Sequence, residues 1–200
     1  ITLKNPKTLF YLLYKYGYSK FMEYIKLKGL EYSIKDKEGI FNIIDDLFKL
    51  DTYKINIDGY IEPKDIKTVL GSSEDKTIGI KAPTGAGKTT AIINYAVEEN
   101  KKIIFLVPYY SMALQQATQN KLKGFIGLHQ EHKETEETIK EATKIIATYD
   151  QLYNIIKVKG VEELGDYLLV VDEYHNLITQ YDFRYKRINT ILNYKEAFNK

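Results

Sequence analysis

Apolar positions along the chain follow two different periods, and the change falls near residue 71. In "PKTLFYLLYKYGYSKFMEYIKLKG" they recur at spacings of three and four: Leu9, Leu13 and Tyr16, then Phe21, Tyr24 and Ile25. That spacing lines one face of a helix. "EGIFNIIDDLFKLD" repeats it, with Ile40, Ile43, Ile44, Leu47 and Phe48 on one side. Together these predict helices over residues 6–50. In "YKINIDGYIEPKDIKTVL" Ile55 and Ile57 alternate before Asp58-Gly59. Asp-Gly between apolar residues predicts a hairpin near 55–61. Pro63 then opens a helix through Leu70. "GSSED", residues 71–75, is the expected boundary between a mainly helical N-terminal unit, 1–70, and a second unit, 71–200.

From Thr77 the pattern becomes strand, loop, helix, repeated. "TIGIKA", "KKIIFLVP", "ATKIIATY" and "DYLLVVDE" read as strands, and "TTAIINYAVEEN" and "SMALQQATQNKL" as helices. The apolar run of "KKIIFLVP" is uninterrupted, as in strands buried on both faces. The alternation predicts an α/β fold, a parallel sheet with helices on both faces. "HQEHKETEETIKEA" reads as a charged, exposed segment, and His129 and His132 within it as exposed loop histidines rather than metal ligands.

Composition narrows the setting. Hydrophobic residues make up 44% and charged residues 28%, ordinary values for a globular protein. Without cysteine, the chain has no disulfide framework, zinc–thiolate site or catalytic thiol. A net charge of +2 announces no global nucleic-acid field, so any such surface is local. No apolar run reaches the roughly 20 residues of a membrane helix, so no membrane partner is expected and the expected location is the cytoplasm of a bacterium or of a host cell. The chain starts at Ile1 rather than Met, and an excised piece of a longer protein is expected. Tyr, Lys, Ile and Asn have A/T-rich codons, and their abundance points towards a phage or mobile element.

"APTGAGKTT" carries the first chemistry. Gly85 and Gly87 let backbone N–H groups close around phosphate oxygens, because no Cβ blocks the curl. The following helix turns its positive end to the same anion. Pro83, Thr84, Gly85, Ala86, Gly87, Lys88, Thr89 and Thr90 are the expected nucleotide-binding residues. Lys88 reaches the β- and γ-phosphates and the Thr89 hydroxyl ligates Mg²⁺. The strict phosphate-loop pattern begins with Gly where this chain has Ala82. "LLVVDEYH" carries the second. A buried strand ends in Asp172 and Glu173, two adjacent carboxylates that are costly without a cation. Asp172 is expected to hold Mg²⁺ and Glu173 to take a proton from attacking water. A kinase for small molecules does not specifically need such a pair, whereas a hydrolase does.

In this order the motifs resemble the first RecA-like lobe of superfamily 2 helicases. "APTGAGKT" resembles helicase motif I, "VPYYSMALQQ" motif Ia, and "VVDEYH" motif II of the DExH type. "IIATYDQL" is similar to the Thr-bearing strand end on the nucleic-acid-facing side. The resemblance covers residues 77–175. It implies ATP and Mg²⁺ as cofactors, ATP hydrolysis, and movement on nucleic acid, with DNA favoured over RNA. It implies catalytic roles for Lys88, Asp172, Glu173 and His175, the last coupling the nucleotide site to the rest of the motor. It also implies that Pro108, Tyr109, Ser111, Gln115 and Thr148 line the edge touching a nucleic-acid backbone, where hydroxyls and helix-start N–H groups hold phosphate without reading sequence.

Three departures qualify the resemblance. No Ser-Ala-Thr motif follows motif II, no adenine-recognising glutamine motif precedes the loop, and no second lobe with arginine fingers is present. A full-length protein continuing past Lys200 is therefore expected. The piece alone is expected to be weak or inactive, since a trans-supplied arginine contributes about 10³–10⁵ in rate. The alternatives are a phage DNA-packaging ATPase, which also pairs a phosphate loop with an Asp-Glu strand end, and a nucleotide-gated nucleic-acid-binding module without turnover. Tyr11, Tyr14, Lys15, Tyr16, Tyr18 and Lys20 read as helix core with snorkelling lysines. Their alternatives are a base-stacking surface or a docking site for other replication proteins.

Overall fold

A computed structural model describes residues 57, 59–72, 77–131, 134–176, 190–191 and 193–198. The helices expected over 6–50 and the Tyr/Lys cluster lie outside them. Five helices and four strands are used below: α1 (Pro63–Ser72), α2 (Lys88–Glu98), β1 (Lys102–Val107), α3 (Tyr110–Asn120), β2 (Ile126–Leu128), α4 (Glu136–Glu141), β3 (Lys144–Thr148), α5 (Leu152–Lys159) and β4 (Tyr167–Val171).

The strands form one sheet in the order β2-β3-β1-β4, and all pairings are parallel. β1 sits inside the sheet, and Ile103 to Val107 are completely buried. Its side chains alternate between two cores. Ile104 and Leu106 pack with Ile145, Ala147, Leu152 and Ile155 on one face. Ile103, Phe105 and Val107 pack with Ile93, Ala96 and Ala113 on the other. Each fully buried aliphatic side chain stabilises by about 1.5–3 kcal/mol. The apolar run Ile103 to Val107 of β1 is thus the direct result of two covered faces, with α2 and α3 on one and α5 on the other. This is the expected α/β RecA-like fold.

Four local expectations are corrected. Residues 77–80 of "TIGIKA" join no strand among the described residues. Gly79 interrupts the short run, and a glycine inside a strand weakens it. Ile80 instead packs into a third cluster with Ile66, Ala91, Tyr95 and Leu168. β2 is an unexpected strand of three residues, too short to show a period. Gly127 is required in it, because a Cβ there would lie 2.6 Å from the Ala117 Cβ of α3. Part of the charged segment folds as α4, started by Thr135, whose Oγ1 accepts from Thr138 N at 3.1 Å, and anchored by buried Ile139. His129 is buried, edge-on to Tyr110 at 4.6 Å between ring centroids; His132 lies outside the described residues.

Near the predicted hairpin, Gly59 has φ +93°, and residues 57 and 59–62 form no strand; the rest of that stretch is outside the described residues. Of the boundary expected over residues 71–75, residues 71 and 72 end α1 and the rest lie outside the described residues. Ile66 and Leu70 of that helix pack with Ala91 and Tyr95 of α2.

Register places the functional ends side by side. Val107 pairs with Thr148 and Leu106 with Val171. The segments leaving β1, β3 and β4 therefore emerge together at the carboxyl edge of the sheet, the edge where parallel α/β sheets bind their ligands.

Candidate nucleotide site and its acidic turn

Pro83 to Gly87 form a tight loop in front of α2. Ala86 N donates to Pro83 O at 3.2 Å, and Ile61 N donates to Ala86 O at 2.9 Å. Gly85 and Gly87 have φ of +82° and +84°. A side chain at either would be strained in this left-handed region, which is why the loop needs glycine there. Gly87 precedes Lys88, so the α2 N-terminus faces the loop. Pro83, Thr84, Gly85 and Thr90 are exposed, and Ala86, Gly87, Lys88 and Thr89 are partly buried. Lys88 Nζ lies over the loop, donating to Ala82 O at 2.8 Å and Pro83 O at 3.1 Å.

Asp172 follows β4, and its N–H extends the ladder by donating to Leu106 O at 2.8 Å. Thr89 Oγ1 donates to Asp172 Oδ2 at 3.3 Å, joining two motifs 83 residues apart. Burial, and then the charge of Glu173, raise the Asp172 carboxyl above its ordinary value; the Glu173 N–H, the Thr89 hydroxyl and Lys88 oppose this. A hydroxyl and a carboxylate oxygen are the hard donors Mg²⁺ prefers. A carboxylate whose charge is already unfavoured is one that a cation would relieve. Thr89 and Asp172 thus fit the ion by chemistry and by position.

Glu173 adopts φ +52°, in the left-handed region that non-glycine residues rarely occupy. The conformation costs on the order of 1–2 kcal/mol, and the surroundings hold it. Asn176 donates to Glu173 O twice, from its backbone N at 2.9 Å and its Nδ2 at 3.0 Å. Tyr149 Oη donates to Asp172 O at 2.6 Å and lies 3.3 Å from Glu173 O. Both residues are buried. Glu173 Oε2 lies 3.2 Å from His175 Nδ1, with the imidazole largely covered and the carboxylate 41% exposed. Sequence reasoning did not single out Tyr149 or Asn176. No local pattern marks a residue whose partner is a carbonyl 23 positions away.

The expected nucleic-acid residues divide by exposure. Tyr109, Ser111 and Gln115 are exposed at the start of α3, beside exposed Tyr110 and Leu114. Pro108 and Thr148 are buried, so they shape the edge from beneath rather than line it.

A cavity of about 570 Å³ opens beside the loop. Tyr60, Ile61, Ile66, Ile80, Pro83 and Ala86 contribute to its wall, and Tyr60 is 73% exposed. The upstream segment thus closes one side of the loop, although its sequence carries no recognised base-binding motif.

Comparison with known proteins agrees with this geometry. The family model for the DEAD/DEAH box helicase matches residues 63–198. The chain is 27% identical over 127 residues to the ATP-dependent DNA helicase Hel308 of Aeropyrum pernix, covering 60% of this chain and 17% of that protein. It is 28% identical over 193 residues to the uncharacterized protein MJECL28 of Methanocaldococcus jannaschii, covering 86% and 15%. The chain therefore spans about a sixth of the length of these relatives. No solved structure matches. The match begins at α1 and runs through the loop, the acidic turn and the residues beyond, across more than half of the sequence, and the chain belongs to the DEAD/DEAH box helicase family.

Proposed function

We propose that this chain is the ATP-binding lobe of a nucleic-acid-dependent helicase or translocase of the DExH type, completed by a second lobe. The observation that carries the reading is the approach of Thr89 to Asp172 at 3.3 Å. It unites a phosphate loop with an acidic strand end in one cleft. Mg²⁺, when bound, would neutralise charge on the phosphates. Thr89 and Asp172 would hold it. Lys88, already lying across the loop, would exchange carbonyl partners for phosphate oxygens. Glu173 would take the proton of the attacking water and release it to solvent, with His175 beside its carboxylate. The cavity by Tyr60 and Ile61 would seat the nucleoside.

Tyr109, Ser111 and Gln115 would meet the nucleic-acid backbone, and the α3 N-terminus favours phosphate there. DNA is the favoured partner, since the relative from Aeropyrum pernix is named a DNA helicase. The test is ATP turnover by the full-length protein with and without single-stranded DNA or RNA. Stimulation by DNA above RNA is expected. ATP binding without turnover under any of these conditions would instead identify a nucleotide-gated binding module.

A further inference from the structure

Among the described residues, Tyr149 connects two functional regions through one side chain. It directly follows Thr148, the last residue of β3, at the sheet edge next to Pro108 and Tyr109. Its ring is 1% exposed, within the core shared by Ile104, Leu106 and Leu152. Its hydroxyl reaches the carbonyl of Asp172 at 2.6 Å and approaches that of Glu173 at 3.3 Å. Ring packing alone does not need that hydroxyl, but a buried phenol requires a partner. The partner here is the backbone of the turn that aims both carboxylates. Glu173 is held at φ +52°, a conformation that persists only when its surroundings impose it.

We propose that Tyr149 is a positioning residue for ATP hydrolysis. Its hydroxyl holds the Asp172–Glu173 turn in the left-handed conformation that presents the Glu173 carboxylate to water. Asn176 donates to Glu173 O as well, the second carbonyl that the Tyr149 hydroxyl approaches. The inference rests on the reading of Glu173 as the water-activating group, since a displaced carboxylate slows turnover while the phosphate loop stays intact.

The experiment compares full-length wild type with Tyr149→Phe. Small misplacements of a catalytic group cost up to about 100-fold in rate. The expected result is a kcat about 10- to 100-fold lower, with KM for ATP within about twofold of wild type. Amide hydrogen exchange at residues 172–176 of the nucleotide-free protein should be faster. Replacing Tyr149 by 4-aminophenylalanine, which keeps the ring and an N–H donor, should restore most of the kcat. If Tyr149→Phe does not fold, Asn176→Ala removes one of the two donors that Asn176 supplies to Glu173 O, the backbone N–H remaining, and should show a smaller loss of kcat in the same direction at constant KM. Unchanged kcat and exchange in whichever variant folds would overturn the proposal. If wild type itself shows no ATP turnover, the functional reading fails, and exchange at residues 172–176 still decides whether Tyr149 holds the turn.

Discussion

The cleft has two walls, and they are built by different means. The phosphate loop takes most of its shape from its own residues, with one outside hydrogen bond from Ile61 N to Ala86 O at 2.9 Å. Gly85 and Gly87 supply the positive φ angles, and its carbonyls bind the Lys88 ammonium from the same stretch of chain. The acidic turn combines a local holder, Asn176, with a distant one, Tyr149, 23 residues before Asp172. Glu173 has a positive φ without being glycine, and buried donors from Tyr149 and Asn176 hold it. The loop is partly exposed and mostly locally determined, whereas the turn is strained and partly tertiary. On the proposed function, the first wall would bind the nucleotide and the second would carry the water-activating group.

Three substitutions sharpen the contrast, in order of expected effect. Lys88→Ala removes a charge-assisted contact to phosphate, worth about 1.5–3 kcal/mol. ATP affinity should fall roughly 10- to 100-fold in a fluorescent-nucleotide titration, with the folded structure intact. An unchanged affinity would mean that Lys88 stays on its loop carbonyls when nucleotide binds. Gly87→Ala forces a Cβ into the left-handed region, where the cost is about 1–2 kcal/mol. The nearest atom to that Cβ would be Ile61 O at 3.5 Å, an ordinary contact, so strain rather than crowding decides. Thermal unfolding should shift down by a few degrees, and no shift would mean that the loop relaxes freely.

Asp172→Asn has the smallest effect and the opposite sign. The Asp172 carboxyl is raised in the folded protein, chiefly by burial. Its contribution to stability is therefore fully present below the ordinary value of 3.8 and lost as pH rises through the folded value. At neutral pH the ionised group costs stability. The Asn variant should melt slightly higher than wild type at pH 7 without nucleotide, and the gap should close as the pH falls towards 4. A variant that melts lower at pH 7 would show that the Thr89 and Glu173 N–H contacts outweigh burial.

What could be read in advance followed the same divide. The apolar run of β1 announced a strand covered on both faces and those of β3 and β4 announced strands, although Leu168 to Val171 of β4, expected to be buried, are only partly so at the end of the strand order; the spacing in "TTAIINYAVEEN" and "SMALQQATQNKL" announced α2 and α3. Glycine positions and acidic residues at a strand end are local signals, so Lys88, Thr89, Asp172 and Glu173 stood out as candidates. β2 is too short to show a period. Residues 77–80 look like a strand locally, yet Ile80 is used in side-chain packing with Leu168 rather than in a ladder. His129 sits among charged residues and is nonetheless buried against Tyr110. Tyr149 read as part of a strand end. Its role follows from a hydrogen bond across the sheet edge, which no spacing encodes.

The central claim is that Glu173, held in its strained turn, activates water beside the phosphate loop. Glu173→Gln in the full-length protein tests it most directly, by measuring ATP affinity and single-turnover hydrolysis on the same sample. The account predicts ATP affinity within about threefold of wild type and hydrolysis slower by about 10²–10⁴-fold, the usual contribution of a positioned general base. Hydrolysis at the wild-type rate would contradict it.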